Sequence, residues 1–280
     1  MAFRPSATDI RASGRRTPAA RIAGVLRTRG LRGLLSLAWQ RAFPPRLACL
    51  AHITPAFDDA DGLEIGGPSA VFGRRGPLPA YALARGIDNC NFGPATMWEG
   101  RIEEGPTFRF DRDRSAGIQH VAEATRLDFA ADARYDFVLS SHVLEHVANP
   151  LAALAEWKRV LKPGGMLALV LPDRAGTFDH RRPVTTLEYL VTDFENGTDE
   201  SDQTHVDEIL ALHDYTMDPE AGGPEAFRAR ALRNAENRGL HHHVFDAALA
   251  GAMVVHAGFE VIATETLEPF HIFVIGRIPA

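Results

Sequence analysis

Cysteine is scarce: the chain has only Cys49 and Cys90 among 280 residues. Two thiols cannot build a disulfide framework and their spacing fits no metal motif, so the cytoplasm is the expected setting. No apolar run approaches the ~18–20 residues of a membrane span, and no stable membrane insertion is expected. Acids are nearly missing from the first fifty positions, where Asp9 stands against ten arginines. That segment carries +9 and the remainder −15, within a net charge of −6. An acidic body argues against nucleic acid as a partner. Repeats and low-complexity blocks are absent as well. What is present, 45% hydrophobic and 24% charged residues, is an ordinary globular composition for one large domain or two small ones.

The basic segment reads as a helical N-terminal extension over residues 1–56. Its helices are broken near Gly30 and Gly33 and stopped by Pro44-Pro45. Residues 57–172 read as the core. Gly62–Ile65 is a short buried strand running into the turn Gly66-Gly67-Pro68-Ser69. Tyr135–Ser141 is a second clear strand, and Asn149-Pro150 opens a helix through Trp157 that Pro163-Gly164-Gly165 ends. Met166–Leu171 is apolar throughout. Such strands separated by helices indicate a parallel sheet covered on both faces. Residues 244–280 return a helix, Phe245–Gly258, and two last strands, Glu260–Leu267 and Phe270–Arg277. Between them, residues 173–243 are polar, acidic and interrupted by Gly197, Pro219, Gly222-Gly223 and Pro224. This is too long for a structureless loop and reads as an inserted cap, with one helix around Thr204–His213.

A strand ending in an acid and a glycine turn can place its backbone under a nucleotide, because missing side chains allow close approach. Glu64-Ile65-Gly66-Gly67-Pro68-Ser69 has that shape. Asp88, 24 residues beyond Glu64, stands about where a doubly wound fold offers an acid to ribose hydroxyls. Then come Glu123-Ala124-Thr125-Arg126-Leu127, Tyr135-Asp136-Phe137-Val138-Leu139-Ser140-Ser141-His142-Val143-Leu144-Glu145-His146 and Arg159-Val160-Leu161-Lys162-Pro163-Gly164-Gly165. In this order and spacing the runs resemble class I S-adenosylmethionine-dependent methyltransferases, in particular their small-molecule branch. The resemblance covers about residues 60–172 and, more faintly, 245–277.

The resemblance implies a Rossmann-like three-layer α/β/α fold with a mostly parallel seven-stranded sheet, and S-adenosyl-L-methionine as cofactor. It places Glu64, Gly66 and Gly67 against the methionine part and ribose. Asp88 takes the ribose position by spacing alone. Glu123 would accept from the adenine amino group, with Ala124 as the adjacent backbone donor. Ser140, Ser141 and His142 would face cofactor and acceptor. Ser69 departs from the family pattern, which usually has glycine there. His146 is expected to serve packing or capping.

Six of the twelve histidines fall in residues 173–243. One of them can act as a general base toward an acceptor hydroxyl, with His142 and His180 the candidates. Alternatively, histidines and acids hold a divalent metal that lowers the hydroxyl pKa. The third reading is a hydrogen-bonded polar lid. Arg181, His213, His241 and His243 are the expected acceptor-binding residues, with Arg181 and Arg182 suited to a phosphate or carboxylate. The expected activity is methyl transfer to a small-molecule acceptor, a sugar or other polyhydroxylated compound, with a homodimer as an allowed assembly. The alternatives are a non-catalytic cofactor-binding partner and an enzyme using the cofactor for other chemistry, such as cyclisation.

Overall fold

The computed structural model describes residues 45–279. The arginine-rich extension therefore lies outside the described residues, apart from its last positions. Among the described residues no helix is long and apolar enough to cross a membrane.

The sheet is built from β1 (Asp61–Ile65), β2 (Gly86–Asn91), β5 (Gly105–Phe108), β6 (Gly117–Val121), β7 (Tyr135–Ser141), β8 (Leu161–Pro172), β9 (Glu260–Leu267) and β10 (His271–Arg277). A two-stranded ribbon, β3 (Ala95–Thr96) and β4 (Gly100–Arg101), stands apart from it. The order across the sheet is β5-β6-β2-β1-β7-β8-β10-β9. Strands β6, β2, β1, β7 and β8 run parallel, and β10 runs antiparallel to both β8 and β9. Seven strands form the expected mostly parallel sheet, and β5 adds an eighth, antiparallel to β6 at the edge. From β1 the chain works outward to β6 and then crosses to the other side with β7. Such a reversal opens a crevice at the carboxyl ends of β1 and β7, the usual ligand position in an open α/β sheet.

The central strands are apolar because both faces are covered. Met166–Pro172 of β8 is buried at every position. On one face the helix Pro150–Val160 packs Leu151, Leu154, Trp157 and Val160 inward, together with the helix Ala247–His256. Asn149 caps the first of these, its Oδ1 accepting from Ala152 N–H at 3.0 Å, with Pro150 preset for the first helical position. The other face is closed by short elements and rings, among them Phe57, Phe72, Leu78, Tyr81 and Phe110.

Residues 173–243 are more helical than the sequence suggested. They form Leu187–Asn196, Val206–Leu212, Pro224–Ala231 and the single turn Asn234–Asn237. The second lies within the expected Thr204–His213. These pieces hold a small core of their own around Ile209, Phe227 and Leu240.

Asn149 also ties this segment to the core, since its Nδ2 donates to the carbonyls of Asp193 and Thr198. Asn149→Ala should therefore cost more than the ~1 kcal/mol of an ordinary cap. Urea unfolding is expected to show a loss of about 2 kcal/mol; a loss under ~0.5 kcal/mol would contradict the double role.

Candidate functional site

The glycine turn is built from beneath. Glu64 is fully buried at the end of β1, and its carboxylate accepts from the Tyr81 hydroxyl at 2.7 and 2.9 Å and from Ser69 N–H at 3.0 Å. Burial pushes the Glu64 carboxyl up to about 8, against the lowering effect of the Tyr81 hydroxyl. Gly66 has φ +78°, and a Cβ there would stand 2.4 Å from Val143 Cγ2. Its N–H donates to Cys90 C=O at 2.8 Å. Glycine is thus required both for the bend and for the close approach of β7's continuation. Ser69 adopts an ordinary extended conformation, φ −108°. Glycine is not needed there, which accounts for the departure from the family pattern.

Above the turn lies a cavity of about 610 Å³. It brings together Gly66, Glu123, Ala124, His142 and His241 from the sequence reading. Other expected residues sit elsewhere. Glu64 lies under the turn as its support, and Gly67, within the turn, packs onto the Glu64 carboxyl; both are outside the cavity lining. Asp88 sits three residues before the end of β2 and outside the cavity. Its carboxylate accepts from Ile118 N–H at 2.9 Å and the Tyr135 hydroxyl at 3.1 Å. The strand runs on to Asn91, which does line the cavity, so spacing alone misjudged the register. Ser140 is fully buried and Ser141 takes the cavity wall, as alternation along a strand dictates.

The 173–243 candidates also separate. His180 and Arg181 both bond Asp214, at 2.9 and 2.8 Å, away from the cavity. His213 stacks on Phe227 with centroids 4.1 Å apart, inside the small core. His243 is buried against the Ala148 carbonyl at 3.0 Å, and burial lowers it to about 3. His180 is thus not placed to act as the base. Distant carboxylates and carbonyls claimed these side chains, which no local spacing reveals.

Three residues gain a place that the sequence reading did not give them. Glu145 and His146 follow β7 on a single 3₁₀ turn, Leu144–His146, and with His241 form a cluster whose ligand atoms lie within 4.8 Å of one another. All three line the cavity. His146 is therefore a wall residue, with the Trp98 ring 4.9 Å from its own. The signal was available in the run His142-Val143-Leu144-Glu145-His146, where one turn brings the side chains together. The third residue, Arg238, pairs with Glu123 at 2.6 Å.

Electrostatics distinguish the members. Burial alone would raise the Glu145 carboxyl, but the His142 contact and neighbouring imidazoles outweigh it and hold it below the ordinary range. Burial, reinforced by His241, lowers His146 to about 4. Burial opposes a charge on His241 too, yet Asp179, 2.5 Å from its Nδ1, prevails and raises it. His146 bonds the Leu240 carbonyl through Nδ1 at 2.9 Å. A carbonyl only accepts, so Nδ1 carries the proton and Nε2 is left as an acceptor. Glu145 Oε2 is buried without a hydrogen-bond partner among the described residues. A carboxylate and two imidazoles oriented from behind are a donor set suited to a divalent cation.

The strand order with β10 reversed between β8 and β9, the glycine turn at the switch point and the order of the motifs are those expected from the resemblance to class I S-adenosylmethionine-dependent methyltransferases. Residues 106–169 match the family model of a methyltransferase domain. A ubiquinone biosynthesis O-methyltransferase of Cereibacter sphaeroides (strain ATCC 17025 / ATH 2.4.3) is 53% identical over 63 residues, 22% of this chain and 26% of that relative. The chain thus matches about a quarter of that relative's length, and 15% of the same enzyme from strain ATCC 17029 / ATH 2.4.9. Among solved structures, a methyltransferase from Mesorhizobium loti aligns over 82% of this chain and 95% of its own, at 14% identity and a TM-score of 0.47. One from Aquifex aeolicus aligns over 81% and 88%, at 13% identity and a TM-score of 0.41.

The buried Glu64 carboxyl makes a pH prediction. Its ordinary value is 4.5 and its folded value about 8, so the folded protein holds the proton more tightly between them. The stability this contributes is full below about 4.5 and lost as pH rises through about 8. Glu64→Gln removes the titration. Thermal melts from about pH 5 to 9 should show the variant gaining on the wild type as pH rises; a constant difference would contradict the shift.

Proposed function

We propose that this protein transfers the methyl group of S-adenosylmethionine to a hydroxyl oxygen of a small molecule held beneath a cap formed by residues 173–243. The observation that carries this reading is the Glu145–His146–His241 cluster on the wall of the cavity that the Gly66 turn also lines. The backbone cradle suits the cofactor, because a Cβ at Gly66 would collide with Val143 and close the approach. Glu123 and Ala124 stand on the same wall for the adenine. A sulfonium supplies an already activated methyl group. What remains for the chain is to position the acceptor, exclude water and take a proton from its hydroxyl.

The cluster serves that last task. We read Glu145, His146 and His241 as holding a divalent cation, which would lower the pKa of an acceptor hydroxyl. Asp179 and the Leu240 carbonyl fix the two imidazoles from behind. His142 stands beside them, its Nδ1 3.4 Å from Glu145 and its Nε2 2.9 Å from His271 Nδ1. A carboxylate only accepts, so Nδ1 donates to Glu145, and His142 would take the hydroxyl proton at Nε2 only when that nitrogen parts from His271. Trp98, Phe178, Met217 and Phe270 also line the cavity, so a flat phenolic acceptor suits it better than a sugar. The name of the Cereibacter relatives, an O-methyltransferase, agrees with an oxygen acceptor.

Labelled S-adenosylmethionine offered with phenols, catechols and sugars should yield methylated phenolic or catecholic product. Chelation should slow the reaction about 10–100-fold, with recovery on adding back a divalent metal. Glu145→Ala and His146→Ala should lose the rate while keeping calorimetric affinity for S-adenosylhomocysteine. A rate indifferent to chelation, in protein free of metal, would overturn the cation reading and leave a histidine as base. Cofactor binding without transfer to any acceptor would favour a non-catalytic module.

A further inference from the structure

Arg238 is an arginine where a helix end ordinarily takes glycine or asparagine. It follows the turn Asn234–Asn237 with φ +53°, and its N–H donates to the Asn234 carbonyl at 2.8 Å. A side chain in the left-handed region is unfavourable, so this residue's value lies in what its guanidinium does. The side chain is only 10% exposed. Nη2 donates to Glu123 Oε1 at 2.6 Å, and Nη1 pairs with the Glu200 carboxylate. Cζ stands 5.6 Å from the centroid of the Phe92 ring. Glu200 Oε1 in turn accepts from Ala148 N–H at 3.1 Å.

All four residues line the cavity, and they come from four separate segments. Phe92 follows β2, Glu123 follows β6, and Glu200 and Arg238 belong to different parts of residues 173–243. Arg238 is therefore the point at which this segment grips the cofactor wall. It takes one oxygen of Glu123 and leaves Oε2 for another donor. Its Nε is buried without a hydrogen-bond acceptor among the described residues.

We propose that Arg238 is a cofactor-positioning residue, which orients Glu123 to accept from an adenine amino group and makes the ordering of residues 198–240 depend on the bound nucleoside. This rests on the adenosyl site proposed above. It adds that the segment over the acceptor also selects the cofactor. Loading the cofactor would then strengthen closure of the acceptor space, because both draw on one guanidinium.

The test compares S-adenosylhomocysteine with its deaminated analogue S-inosylhomocysteine, which carries oxygen in place of the amino group. The wild type should bind the adenosyl compound at least about 10-fold more tightly by calorimetry. Arg238→Ala should weaken the adenosyl compound about 10-fold, leave the inosyl compound within about 2-fold, and so erase the preference. Arg238→Lys should restore part of it. Hydrogen exchange across residues 198–240 should slow on adding S-adenosylhomocysteine to the wild type and stay unchanged in Arg238→Ala. Equal weakening of both ligands, an unaltered preference, or a wild type that does not discriminate would overturn the proposal. A wild type that binds neither ligand would overturn the adenosyl site itself, and this inference with it. If Arg238→Ala does not fold, Arg238→Gln against Arg238→Lys makes the same comparison.

Discussion

A carboxyl group with no access to water sits at the end of the first strand, and the cavity is assembled around it. Glu64 joins three segments: its own strand, the turn through the Ser69 amide, and the short helix Ala80–Leu83 through the Tyr81 hydroxyl. Tyr81 is in turn fixed by Phe110, with ring centroids 5.6 Å apart. Gly67 lies so close above the carboxyl that a Cβ there would stand 2.2 Å from Glu64 Cδ. Asn89 completes the clamp, exchanging hydrogen bonds with the Gly67 amide and carbonyl. A buried polar group is tolerated only where its partners are fixed, and here the partners are the turn itself. Once the turn is placed, the contact between Gly66 and Val143 sets where the chain leaves β7. His142, Glu145 and His146 follow within one turn of that point.

The histidine that completes the cluster arrives from the other side, and Arg182 brings it. Its side chain is 1% exposed and donates to Glu208 Oε1, Asp179 Oδ1 and the carbonyls of His241 and His242. Those contacts neutralise a buried charge and pin the backbone that carries His241. The same stretch is fastened to the core by His242 N–H donating to Glu145 C=O at 2.7 Å. Glu145 thus meets residues 173–243 through its backbone as well as its side chain. The sequence reading offered Arg182 to an anionic acceptor; in the structure its donors are already engaged within the chain.

Much of the fold was legible because it rests on local signals. Continuous apolar strands and the Asn149-Pro150 start each act within a few residues; the helix itself ends at Val160, and Pro163-Gly164-Gly165, expected to end it, lies within β8. The cavity lining was legible only near the carboxyl ends of strands, as at Gly66, Glu123, Ala124 and His142. Asp88 failed because counting from Glu64 cannot say where β2 ends. Glu64 lies in the motif as expected, but below the backbone; a sequence shows that an acid belongs there without showing which side of the turn it faces. His180, Arg181, His213 and His243 failed for a different reason. Their partners, Asp214, Phe227 and Ala148, are chosen by the folding of a segment with little apolar periodicity.

The run His241-His242-His243 shows the limit most clearly, since one residue type in three successive positions acquires three different states. His241 meets the Asp179 carboxylate and is raised. His242 accepts from Asn234 Nδ2 at 2.9 Å, and burial lowers it to about 4. His243 meets a backbone carbonyl and is lowered further, to about 3. Local sequence cannot distinguish them, because the deciding partners lie 62, 8 and 95 residues away. Only the one hydrogen-bonded to a carboxylate opens on the cavity. A carboxylate behind an imidazole fixes its tautomer and increases its basicity, whether the other nitrogen then meets a proton or a cation. Asp179 therefore does for His241 what no neighbour in the sequence could do: it separates a histidine on the cavity wall from two that are buried away from it.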